Sequence, residues 1–78
     1  MKLVYDPRHN IACLRLHEKT AQVETLHLRD EINVDIAPDG TVYGIELLNA
    51  NQQLRGEGHG NLVVVNEAIG ERLKVPLE

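Results

Sequence analysis

The sequence predicts a mainly β domain: an antiparallel meander, one short helical segment near 49–55, and a C-terminal β-hairpin. Two stretches carry that reading. In Glu31 to Asn49, EINVDIAPDGTVYGIELLN, Ile32, Val34 and Ile36 alternate with Glu31, Asn33 and Asp35. That is the period-two pattern of a half-buried strand. Ala37-Pro38-Asp39-Gly40-Thr41 follows. Proline presets the first turn position, aspartate suits the second, and glycine accepts the left-handed residue after them. Val42 to Leu48 then returns beside the first run, giving a hairpin with a short bulged turn at Pro38, Asp39 and Gly40. The second stretch is Leu62 to Val65, a Leu-Val-Val-Val run that belongs in a strand.

The remaining elements follow in order. Lys2 to Asp6 reads as a first strand, stopped by Pro7, which cannot donate to a ladder. Residues 6–10, Asp-Pro-Arg-His-Asn, are turn chemistry. Ile11 to Leu16 is a second strand with Ala12, Leu14 and Leu16 on its core face and Cys13, Arg15 and His17 on the other. A turn at 17–20 leads to a third strand over Ala21 to Leu28, whose two faces are poorly separated. Asn49 to Arg55, with Asn49 as a cap and Gly56 as a stop, forms one or two helical turns. Such a piece persists only if it docks on the sheet through Leu48 and Leu54. Residues 56–61 form a flexible connector. Asn66 to Gly70 is a hairpin loop, and Arg72 to Val75 returns until Pro76 ends the pairing. The competing α+β reading makes Asn66 to Lys74 a C-terminal helix. Gly70 at its centre costs ~1 kcal/mol relative to alanine, with no apolar stripe to compensate, so the hairpin is favoured.

Seventy-eight residues make a single domain, 1–78, in which Leu77-Glu78 fits a cloning remnant. A chain this short buries only ~60–65% of its unfolded surface. It contains no Phe, no Trp and two Tyr, so the core is built from Val, Ile and Leu without the area aromatics supply. Small domains of this kind gain stability by association, which makes a homodimer the expected state. The formal net charge of −4, with cations scattered singly, argues against nucleic-acid binding. The one cysteine, Cys13, excludes an internal disulfide. With no stretch that reads as a signal peptide or membrane span, the expected location is the cytoplasm.

Tyr5-Asp6-Pro7, Arg15-Leu16, Asn33-Val34-Asp35, Asp39-Gly40 and the run Val42-Tyr43-Gly44-Ile45-Glu46 to Leu48-Asn49-Ala50 resemble the small bacterial and archaeal family of unknown function DUF2283. The resemblance covers residues about 3–50, and Gly44 to Ala50 is its most specific part. Arg8, His9 and Asn10 depart from the family's usual first turn, Cys13 stands where tyrosine is usual, and Glu31 where glycine is usual. The resemblance implies a compact β-rich fold and no particular activity. Some members are encoded near small toxin-like proteins, which implies a small protein partner.

Candidate chemistry is sparse, and no catalytic, cofactor-binding or metal residue is assigned. His9, Cys13 and His17 share one strand face, but His9 and His17 lie ~26 Å apart along an extended strand, beyond one metal's reach. Surface histidines and a partly buried thiol are the plainer account. Cys13 as a nucleophile lacks a base at hydrogen-bond geometry. The carboxylates Asp6, Asp30, Glu31, Asp35, Asp39 and Glu46 lack EF-hand spacing and read as solvated turn and edge residues. Gly56-Glu57-Gly58-His59-Gly60 lacks the lysine and Ser/Thr of a phosphate loop. Arg15 and Glu46, on strands among apolar neighbours, are expected to form a cross-strand or inter-subunit ion pair.

Two functions remain in play. The first is a non-catalytic protein-interaction module, homodimeric and paired with another small protein. The second is a small metal-dependent enzyme or metal-binding protein. It requires two of His9, Cys13, His17, His27 and His59 to converge with a carboxylate in one pocket.

Overall fold

A computed structural model describes residues 1–18, 22–55 and 60–77. The elements run β1 (Lys2–Asp6), β2 (Ile11–Arg15), β3 (Glu24–Arg29), β4 (Ile32–Ile36), β5 (Val42–Leu48), α1 (Ala50–Arg55), β6 (Asn61–Asn66) and β7 (Glu71–Pro76). The mainly β class, the short helix after the central hairpin and the C-terminal hairpin all stand as the sequence predicts. No C-terminal helix forms, because Gly70, at φ +71°, closes the loop between β6 and β7. The start of the expected third strand at Ala21, the turn at residues 19–20, the connector 56–59 with His59, and Glu78 lie outside the described residues.

Within that class, one connection departs from a meander. The first five strands form one antiparallel sheet in the order β1-β2-β5-β4-β3, and β6 and β7 form a second. After β2 the chain crosses to the far edge, and the β3–β4–β5 hairpins bring it back so that β5 lies against β2. Pairing β2 with β5 sets Ala12 beside Leu47 and Leu14 beside Ile45. β3 offers no such partners and is exposed at all six positions. The more apolar strand takes the centre.

The central turn matches its residues. Gly40 donates to the Ala37 carbonyl at 2.9 Å and Ala37 to that of Thr41 at 2.8 Å, with Gly40 at φ +91°. The Asp39 carboxylate accepts from the Thr41 N–H at 2.9 Å.

Alternation sorts the five-stranded sheet into two faces. Leu3 and Tyr5, Ala12 and Leu14, Ile45 and Leu47, Ile32 and Val34, and Leu26 occupy one face by register. α1 docks on that face. Its Ala50 is fully buried and Leu54 borders Leu3, Leu14 and Leu47.

The capping of α1 differs from the sequence reading. Asn49 stands at the head of the helix, its carbonyl accepting from the Gln53 N–H, but its φ is +53° and its side-chain amide donates to the Glu31 and Gln52 side chains, while the Ala50 and Asn51 N–H groups go to Asn10. Asn10, in the β1–β2 turn, supplies the cap. Its carbonyl accepts from Ala50 N–H at 3.1 Å and its side-chain oxygen from Asn51 N–H at 2.8 Å. Its amide also donates to the Asn49 side chain at 3.3 Å. Asn10 is itself left-handed, at φ +58°. Asparagine suits both sites, because it tolerates this conformation and carries a short polar group.

Asn10 therefore serves through its side chain and its backbone. Asn10→Ala is expected to cost about 2 kcal/mol, from the lost cap and the left-handed backbone together, whereas Asn10→Gly relieves the backbone and costs less. Urea unfolding at neutral pH checks both the magnitude and the order.

Candidate functional site

Two regions stand out, a polar row on the sheet face opposite α1 and an apolar groove on the face that α1 covers. The row runs straight across all five strands. Val4, Cys13, Glu46, Asn33 and His27 are successive cross-strand partners and so project to the same side. The Asn33 amide donates to a Glu46 oxygen at 3.2 Å, and its own oxygen lies 2.7 Å from His27 Nδ1. With the Asn33 oxygen able only to accept, His27 Nδ1 carries the proton in that bond. In the adjoining row, Lys2, Arg15, Gly44, Asp35 and Thr25 are partners, and Thr25 donates to Asp35 at 2.7 Å.

Arg15 and Glu46 are thus diagonal neighbours on one face, since Glu46 faces Cys13 and Arg15 faces Gly44. The Glu46 carboxylate accepts from Asn33. Arg8 and His9 each pair with Asp6 in the β1–β2 turn.

The described histidines are dispersed. His9 Nδ1 lies 2.8 Å from Asp6, and His27, on the opposite edge strand, bonds Asn33. The His17 ring lies 5.4 Å from that of Tyr43. Among the described residues no three His, Cys, Asp or Glu side chains are grouped so as to hold a metal ion. Cys13 is a half-buried free thiol.

The turn at 6–10 gathers Arg8 and His9 around the Asp6 carboxylate. Asp6 accepts from Arg8 through its guanidinium at 3.1 and 3.3 Å and through its backbone N–H at 3.0 Å. The Arg8 guanidinium, then His9, hold its carboxyl well below the usual carboxylate range, and Asp6 in turn raises Arg8. Asp39 is lowered as well, by the Thr41 N–H it accepts.

Asparagine and glutamine do most to seat the helix, and the sequence reading did not single them out. Asn51 accepts from the Tyr5 hydroxyl at 2.6 Å and donates to the Pro7 carbonyl at 3.1 Å. Arg55 donates to the same hydroxyl at 2.9 Å. Gln53 donates to the carbonyls of Leu48 and Glu31. The available signal was the clustering of Asn49, Asn51, Gln52 and Gln53 on a helix too short to stand alone.

The apolar groove, about 460 Å³, opens between the sheet, α1 and β6. Leu3, Leu14, Leu47, Leu54, Leu62 and Val64 line it. Beyond it the second sheet presents a largely aliphatic face, where Leu62 pairs with Val75 and Val64 with Leu73, before the polar pair Asn66–Glu71 at the loop end. β7 is exposed along its whole length, Leu73 at 61%.

These features define a small antiparallel β domain with a docked helix and an apolar hairpin. The family model for proteins of unknown function DUF2283 matches residues 2–51, from the start of β1 into α1, and the chain belongs to that family. No curated protein and no solved structure matches the chain. No helix among the described residues is long and apolar enough to cross a membrane.

The depressed Asp6 and Asp39 set a pH dependence. A carboxyl lowered on folding contributes stability that is present above its unfolded pKa of about 4 and is lost as pH falls towards the folded value. In urea titrations from about pH 5 to pH 2, Asp6→Asn is expected to be less stable than the wild type at the upper end, with the gap closing as pH falls.

Proposed function

We propose that this chain is a non-catalytic protein-interaction module that acts as a homodimer in the cytoplasm. One observation carries the reading: the chain does not cover its own apolar surface. The buried apolar residues among those described are Ala12, Ala37 and Ala50, and no large side chain is fully buried. The chain exposes 5917 Å², where a compact monomer of 8.8 kDa exposes about 4,800 Å². The difference, about 1,100 Å², exceeds the roughly 800 Å² that one partner buries in a standard interface. Val64, Val65, Ile69, Leu73 and Val75 are all exposed on a two-stranded hairpin, an element marginal by itself in water. A protein partner supplies what the chain lacks.

The edge strand β3 offers a place for a further small protein. All six of its residues are exposed, Leu28 at 60%, and its outer edge is open to augmentation by an extended segment.

Light scattering tests the proposal on protein as purified, with added Zn²⁺, and after chelation. The expected mass is twice 8.8 kDa in all three conditions. A monomer throughout overturns the homodimer. A mass that moves with metal overturns the non-catalytic reading in favour of histidine and Cys13 ligation.

A further inference from the structure

Resting on that homodimer, we infer that the two copies join through the aliphatic face of the β6–β7 hairpin, each hairpin seated on the α1 side of the other copy's five-stranded sheet. The hairpin is amphipathic. One face holds Leu62, Val64, Leu73 and Val75, with the polar pair Asn66–Glu71 at its loop end, while the other carries Arg72 and Lys74 beside Val63 and Val65. The aliphatic face is the one that borders the groove through Leu62 and Val64. Its own chain leaves it open, with Val64 52% and Leu73 61% exposed.

The surface it would meet is also incomplete. α1 spans six residues and covers only part of the apolar sheet face. Leu14, Ile45, Leu47, Ile32 and Val34 on that face are all only half-buried, though they lie on the three inner strands of the sheet. A central sheet face dominated by Leu, Ile and Val is normally closed by a second layer. Two unfinished layers of matching chemistry in one chain complete each other by a two-fold exchange, in which each copy gives its hairpin and receives its partner's. The excess surface of about 1,100 Å² per chain is more than the roughly 800 Å² per partner of a standard interface, enough for this reciprocal burial.

The second copy is favoured over an unrelated occupant because hairpin and sheet face occur in every chain at equal stoichiometry. The opposite sheet face, with Glu46, Asn33, His27, Arg15 and Asp35, is too polar to serve as the dimer contact.

Sedimentation equilibrium on the full chain tests the assignment with three variants. Leu73→Lys places a charge on the aliphatic hairpin face and is expected to give a monomer. Val65→Lys, on the reverse face of the same hairpin, is expected to leave the dimer intact. Leu73→Ala, which folds even if the lysine variant does not, is expected to raise the dimer dissociation constant at least tenfold. A dimer indifferent to Leu73→Ala, or one broken equally by Val65→Lys, overturns the hairpin interface while the homodimer stands. A monomeric wild type overturns both.

Discussion

The fold depends on a clasp between two asparagines that are 39 residues apart. Asn10 ends the first β-turn and Asn49 follows the fifth strand, and both hold left-handed backbone, at φ +58° and +53°. Their side chains meet at 3.3 Å, and Asn10 also receives the first two N–H groups of α1. A helix of six residues does not persist alone, because nucleation is costly and few internal bonds follow it. Here its first two orphan donors are satisfied by Asn10 of the β1–β2 turn, and Asn51, Gln53 and Arg55 bond Tyr5, Pro7, Leu48 and Glu31. The clasp thus ties the first hairpin, the end of β5 and the helix into one unit. The family match ends at residue 51, just after the clasp has closed.

The sheet's two faces divide its labour. The face under α1 is aliphatic and sparsely covered, so its burial is unfinished within one chain. The other face carries a cross-strand row from Cys13 through Glu46 and Asn33 to His27, bonded laterally from Glu46 to His27. Such a row stabilises strand pairing through neighbouring polar groups and can face water without cost. The two faces thus differ sharply in chemistry, one aliphatic and one polar.

Local structure was legible in the residues. Alternation at Ile32, Val34 and Ile36, turn chemistry at Pro38, Asp39 and Gly40, and Gly70 in the last loop each specify a conformation within a few positions of chain. Ala12 and Leu14 on the core face of their strand were legible for the same reason. Which neighbours Arg15 and Glu46 take was not legible, since that depends on register: Glu46 lies opposite Cys13 and beside Asn33, with Arg15 on the diagonal. The identity of the helix cap was not legible either. Asn49 is adjacent to the helix in sequence, but its left-handed backbone turns its side chain towards Glu31 and Gln52, and the cap arrives from Asn10.

The sequence by itself determined seven strands, one short helix, the turns between them and a chain poor in large core residues, because these follow from side-chain period, turn preference and composition. The tertiary structure decided that β5 rather than β3 lies beside β2, that Asn10 caps α1, and that the hairpin's aliphatic face stays open. Each of those is a choice between distant segments. It is settled by which pairing buries more apolar surface and satisfies more backbone groups, and neither quantity is written in any one stretch of chain.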